Sequence, residues 1–162
     1  MPVCSLRYQF RQPLQAPAKA AYDWCTDFGP SDGKFFVPAH RRSVRWLTED
    51  SLVLTDTTYP SRRALRIRRL VRLNPSQLAW TNTHLDGPYQ HSQYWYRIVA
   101  DGPRRSHLEF IGLRLETSRR PLSASAVARK TEEERLDDAT MWQRRIAPAL
   151  ARDLGPLAAR AR

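Results

Sequence analysis

Five turn signals spaced through the middle of the chain constrain its fold more than any other feature. Glu49-Asp50, Pro60-Ser61, Asn74-Pro75-Ser76, Asp86-Gly87-Pro88 and Asp101-Gly102-Pro103 each separate two runs rich in β-branched, aromatic and alternating residues, which is how successive hairpins read. Six strands therefore follow one another as a meander. Ahead of them, residues 3–10 read as one more strand. Residues 17–28 read as a helix opened by Pro17, whose missing amide hydrogen would be unpaired in a first turn anyway. A second short helical turn is expected through Ser31, Asp32 and Gly33. Near the C-terminus Ala139, Trp142, Ile146, Leu150, Leu154 and Leu157 recur at three or four residues, the stripe of a long amphipathic helix that Pro148 is expected to kink. The expectation is an α+β chain: a curved seven-stranded antiparallel sheet wrapped around a long C-terminal helix, with two short helices after strand 1. Such a sheet encloses a cavity.

A chain of 162 residues buries roughly 70% of its unfolded surface, enough for one domain over residues 1–162 with a sizeable core. No segment approaches a membrane span. The opening MPVCSLRYQF carries Arg7 within its apolar run and has no small-residue cleavage site, so it reads as a strand, and a cytoplasmic location is expected. Cys4 and Cys25 are too few and too unpatterned for a disulfide scaffold and read as partly buried thiols. No histidine cluster has metal spacing, although a hairpin could bring His84 and His91 together; no metal or cofactor is expected.

The net charge of +11 is almost wholly arginine, since Lys19, Lys34 and Lys130 are the only lysines. A basic surface favours anionic partners. The pairs Arg41-Arg42, Arg62-Arg63, Arg104-Arg105, Arg119-Arg120 and Arg144-Arg145 fall mostly in turns or on faces read as solvated. Charge so dispersed argues against a nucleic-acid partner and is compatible with peripheral contact to a membrane.

Hairpin arithmetic says which side chains share a face. A two-residue turn at Pro60-Ser61 sets Leu54 opposite Ile67 and Leu52 opposite Arg69. Leu52, Leu54 and Asp56 then share the inner face with Leu65, Ile67, Arg69, Val71 and Leu73, and beyond them with Leu78, Trp80, Asn82 and His84. Arg66, Arg68 and Arg72 point outward. Arg69 is expected inside, paired across strands with Asn82. Asp56 is its candidate counter-ion, because an unpaired buried guanidinium is costly. In the next strand Tyr94, Tyr96 and Ile98 are preferred inside over Gln93, Trp95, Arg97 and Val99, since phenols can stay packed while bonding a ligand. The last strand carries Leu108 and Phe110 on one parity and Leu113 and Leu115 on the other, which a bulge at Gly112 would reconcile. Residues 118–138 read as a loop with at most a solvated helical turn in RKTEEER, a mobile lid.

The order of elements, the opening APAKAAYDWCTDF, the hairpin VADGPRRSHLEF and the tail MWQRRIAPALARDL resemble the START/Bet v 1-like superfamily, which includes polyketide cyclases and dehydratases. The resemblance covers nearly the whole chain. It implies a helix-grip fold with a cavity for lipids, polyketides or other apolar molecules, and it transfers no catalytic residue. The reading that follows is a carrier or sensor of a small hydrophobic or amphipathic ligand. Trp80, Tyr94, Tyr96, Phe110 and Trp142 line the cavity, and Arg69, Asn82 and His84 form its polar end. Two alternatives stand beside it. One is a cyclase- or dehydratase-like enzyme using Arg69, Asp56, His84 and Tyr94. The other is an interaction protein whose outward Arg66, Arg68 and Arg72 meet nucleic acid or acidic lipid.

Overall fold

The computed structural model describes residues 1–30, 41–59 and 64–160, with backbone alone over 156–160. β1 (Val3–Leu14) leads to α1 (Ala18–Thr26). The meander follows as β2 (Arg41–Thr48), β3 (Ser51–Thr58), β4 (Leu65–Asn74), β5 (Ala79–His84), β6 (Gln93–Ala100) and β7 (Ser106–Thr117). All seven strands form one antiparallel sheet in the order β1-β7-β6-β5-β4-β3-β2, so β1 and β2 are its edges. The helical tail is α2 (Ala124–Met141), a π turn (Trp142–Ile146) and α3 (Ala147–Arg160). This is the helix-grip architecture that the sequence implies. The turn expected at Ser31, Asp32 and Gly33, and the one at Pro60-Ser61, lie outside the described residues. No described helix is long and apolar enough to cross a membrane.

Strand alternation builds the core. In β1, Leu6, Tyr8 and Leu14 are buried while Arg7, Gln9 and Arg11 are exposed, the period of two that a half-buried strand requires. Trp80, Ile98, Leu108 and Phe110 join the same concave face. They meet Ala18, Ala21 and Tyr22 of α1 and Trp142, Ile146 and Leu150 of the tail.

Register differs from the hairpin arithmetic by two residues in two places. Leu54 lies opposite Arg69 and Leu52 opposite Val71, because the β3–β4 connection runs over residues 59–64. Arg69 in turn faces His84, and Asn82 faces Val71; the intervening turn is a 3-10 turn at Pro75–Gln77 with Leu78 left-handed. A slip of two preserves the face, so the inward set is unchanged. The loop at Asp86-Gly87-Pro88 is also longer than a tight hairpin. It spans residues 85–92, with Gly87 and His91 both at positive φ.

Two further expectations fail. β7 keeps unbroken register with β1 and with β6, so there is no bulge at Gly112. Gly112 faces the ring of Tyr8, and a Cβ there would stand 2.7 Å from Tyr8 Cζ. Close approach of a buried ring, not a bend, is what needs glycine at this position. With no bulge, Arg114 and Glu116 share the inner parity of Phe110.

Residues 118–138 are not a loop either. Helix begins at Ala124, capped by the Ser123 hydroxyl, which accepts a hydrogen bond from the Ala126 amide at 3.2 Å. α2 buries no residue fully. It lies over β1 and makes polar contacts to β1 and β7: Tyr8 of β1 donates to Asp138 at 2.6 Å, Lys130 reaches Glu116 of β7 at 2.6 Å, and Arg114 of β7 pairs with Glu134. The interruption expected at Pro148 takes the form of the π turn just before it, where the ring excludes ordinary helix bonding.

Candidate functional site

Between the concave face and the helices lies a cavity of about 530 Å³. All eight residues singled out from the sequence line it: Arg69, Trp80, Asn82, His84, Tyr94, Tyr96, Phe110 and Trp142. Three strands and the π turn supply its aromatic wall. Trp80 and Tyr96, partners across β5 and β6, stack with ring centroids 4.7 Å apart and planes 1° apart. Phe110 meets Tyr96 edge-on at 5.1 Å, and Trp142 closes the far side at 6.2 Å. Such contacts hold rings in fixed orientation and leave a flat apolar surface.

The polar end is set by β2, β3, β4 and β5. Asp56 is buried and is held from two sides. Arg42 donates through Nε at 2.7 Å and a terminal nitrogen at 3.1 Å, and Arg69 pairs with the other face of the carboxylate. The Arg42 side chain is 3% exposed, so its reading as a solvated surface charge is corrected. It shares the inward parity of Val44. One carboxylate between two guanidiniums leaves a positive balance. Burial, and then the charge of Arg42, lowers the Arg69 guanidinium to about 10, still protonated at neutral pH.

Three polar atoms at this end have no hydrogen-bond partner among the described residues: Arg69 Nε, Asn82 Oδ1 and His84 Nδ1. Asn82 offers its amide nitrogen to the Tyr96 hydroxyl at 3.5 Å. His84 is pushed down to about 4, first by burial and then by Arg69 and Arg114, so its ring is neutral at pH 7. Buried polar groups are ordinarily satisfied. The three belong to residues that line one end of the cavity, where Arg69 Nε can donate to a ligand's oxygen and Asn82 Oδ1 can accept from a ligand's hydroxyl.

A second polar group, absent from the sequence reading, stands on β1, β7 and α2. Asp138 lines the cavity and accepts the hydrogen bond from Tyr8, and burial raises its carboxyl above the ordinary range. Tyr94 is raised to about 12, chiefly by burial. Arg114 lies with its guanidinium carbon 3.6 Å from the centre of the Tyr89 ring. Its Nε is 3.2 Å from Glu116 as an ion pair, without the alignment of a hydrogen bond. Uninterrupted alternation along β7 would have exposed Arg114 as inward-facing. Asp138 carried no comparable signal, because its segment lacks an apolar stripe. Among the described residues no group of histidine, cysteine and acidic side chains can hold a metal ion, and His91 meets His84 through its backbone alone.

An open sheet gripping a helical tail around a cavity with an aromatic wall defines the class: this is a helix-grip fold. No protein-family model and no curated protein sequence matches the chain. Solved structures do. The Zhui aromatase/cyclase from Streptomyces sp. R1128 superposes with a TM-score of 0.68 at 14% identity, over 98% of this chain and 97% of that one. The di-domain aromatase/cyclase StfQ from the steffimycin biosynthetic pathway gives 0.69 at 12% identity, over 94% of this chain and 52% of that one. Norcoclaurine synthase from Thalictrum flavum gives 0.59 at 9% identity, over 88% and 94%. At these identities the likeness establishes the fold.

Proposed function

We propose that the protein binds a small amphipathic molecule in this cavity: a flat or elongated apolar body against Trp80, Tyr96, Phe110 and Trp142, and an oxygen-bearing head at Arg69, Asn82 and His84. The observation that carries the reading is that three residues lining one end of the cavity, beside its aromatic wall, each hold a buried polar atom without a hydrogen-bond partner. The volume falls within the range of small-molecule sites. Apolar burial at about 25 cal/mol per Å² supplies affinity, and the polar end fixes orientation. The positive balance around Asp56 favours an acidic head, a carboxylate or an ionised enol or phenol, for which guanidinium geometry is suited.

A second reading, a cyclase- or dehydratase-like enzyme, is favoured by one specific feature: a carboxyl with raised pKa, Asp138, in the same cavity as the neutral His84. Groups whose environments push their pKa values apart are suited to move protons. Two of the structures of like fold are named as aromatase/cyclases.

Native mass spectrometry of the purified protein, followed by denaturing extraction, tests the first reading by finding a stoichiometric small molecule. Titration with anthraquinone-2-carboxylate and with anthraquinone tests the polar end. The acid binds more tightly, and Arg69→Gln removes that preference while leaving the neutral compound's affinity within a factor of about three. Equal affinity for both compounds in the wild type would refute the placement of the head. For the enzyme reading, Asp138→Asn abolishes turnover of an extracted ligand without releasing it.

A further inference from the structure

The outer face of the sheet is as distinctive as the inner one. Eight exposed arginines stand on it, two from β1, two from β2, three from β4 and one from β6, while its strands supply a single acidic residue, Glu109. Charge that is dispersed along the sequence is thus collected on one surface by strand alternation. Near the middle of that face Trp95 and Ile111 lie opposite each other on β6 and β7, each 37% exposed.

Three arginines near this pair stand outside any ion pair, although Glu109 is aligned with Arg97 and Asp50 feels the charge of Arg72. Arg97 is two residues along β6 from Trp95 on the same face, about 7 Å away at strand rise. Arg72 lies across Thr81, two strands over and so about 10 Å away. On the other side Arg7 is aligned with Leu113 and Gln93. None of Arg7, Arg72 and Arg97 makes a hydrogen bond or ion pair among the described residues, whereas Arg68 is engaged by Asp86 and Arg11 by His107.

We propose that this convex face binds single-stranded nucleic acid, with a base stacked on Trp95 and phosphates held by Arg7, Arg72 and Arg97. Every base has a π-face, so an exposed tryptophan is a sequence-tolerant platform, and arginine is suited to phosphate by its forked donors. Curvature selects the occupant. A flat bilayer or a stiff duplex touches only the crest of a convex sheet and leaves the flanking arginines of β1 and β4 in water. A flexible polyanion can follow the surface and reach both flanks. The face points away from the cavity, so the two sites are separable.

Fluorescence anisotropy with a labelled 15-residue oligo(dT) at several salt concentrations tests the proposal on the full chain. The affinity is expected to fall with a log–log salt slope of about −2, from three phosphate contacts at about 0.7 each, and Arg72→Gln and Arg97→Gln each reduce the slope by about 0.7. Trp95→Ala weakens binding about tenfold at every salt concentration with the slope unchanged, and Trp95→Phe restores most of it. Anthraquinone-2-carboxylate binding, read in the same variants, stays constant and reports that the fold is intact. Three results would each overturn the proposal. These are competition by poly-glutamate equal to that of the oligonucleotide at equal charge, binding of phosphatidylglycerol vesicles where oligo(dT) does not bind, and unchanged affinity in Trp95→Ala.

Discussion

Replacing Asp56 by asparagine removes one negative charge from between two guanidiniums and keeps the shape of the side chain. The Arg42 and Asp56 side chains are 3% and 4% exposed, and Arg69 approaches from the cavity side. In the wild type the carboxylate offsets both cations. In the variant Arg42 and Arg69 face each other across a neutral amide, which offsets less of their charge and desolvation than the carboxylate does. Removing one member of a buried ion pair costs about 3–5 kcal/mol. For a chain of this size that is a fall in Tm of roughly 6–20 °C. In urea, at a slope of about 2 kcal/mol/M, it moves the midpoint by roughly 1.5–2.5 M. The internal control is Arg68→Gln, which breaks the Arg68–Asp86 pair, whose side chains are 49% and 33% exposed; it is expected to cost less than about 1 kcal/mol. Urea unfolding of both variants, with unchanged slope to confirm two-state behaviour, makes the comparison. Equal losses in the two would refute the claim that the cavity end is a low-dielectric site. The same substitution frees Arg69 from its counter-ion, so the surviving folded protein binds anthraquinone-2-carboxylate more tightly than the wild type does.

Three further predictions concern the groups around the cavity. His84 has its folded pKa at about 4, below the ordinary histidine value of about 6.5. The unfolded chain therefore takes up the proton first, and stability falls as pH is lowered from about 6.5 to about 4 and levels off beneath; His84→Gln removes that component, at most about 3 kcal/mol, and parallel stability–pH curves for the two proteins would refute it. Gly112→Ala drives a methyl into the Tyr8 ring and costs about 2–4 kcal/mol, part overpacking and part the strained bond to Asp138. Combined with Tyr8→Phe, its cost falls short of the sum of the two single costs; additive thermal shifts would show that the two sites are uncoupled. Ser123→Ala costs about 1 kcal/mol by urea unfolding, since it removes the acceptor at the start of α2, and no loss would mean that β1 alone fixes where the helix begins.

What was legible in the sequence followed from strand period, and what was missed followed from polar contacts. A two-residue register slip carries Arg69 from one cross-strand partner to another without turning it outward, so inward residues can be read correctly from a wrong hairpin length. That is why Trp80, Asn82, His84, Tyr94 and Tyr96 share one face although Arg69 lies opposite His84. Arg42 and Arg114 escape a reading that weighs charge against burial one residue at a time. Their partners, Asp56 on the neighbouring strand and Glu134 on a helix, become visible only when parity is kept through an arginine. Residues 124–141 lack an apolar stripe, and the helix there is held by Ser123 at its start and by Tyr8, Glu116 and Arg114 along one side. Ser123 is a local signal, but the anchors along the helix come from strands earlier in the chain, so periodicity does not reveal the segment.

The two faces of the sheet then divide the charge problem between them. Inside, arginine is admitted only with a carboxylate: Arg42 and Arg69 with Asp56, Arg114 with Glu116 and Glu134. Outside, Arg7, Arg72 and Arg97 make no ion pair among the described residues, although Glu109 stands opposite Arg97 and Asp50 feels the charge of Arg72. An inward arginine deprived of its acid loses folding free energy, whereas an outward one deprived of its charge changes what the surface attracts. Substitution at Asp56 should therefore lower stability and raise the cavity's affinity for an acid, and neither should change under Arg72→Gln. A loss of cavity binding on neutralising Arg72 would mean that the sheet transmits charge effects between its faces, and would sink the treatment of the two surfaces as independent sites.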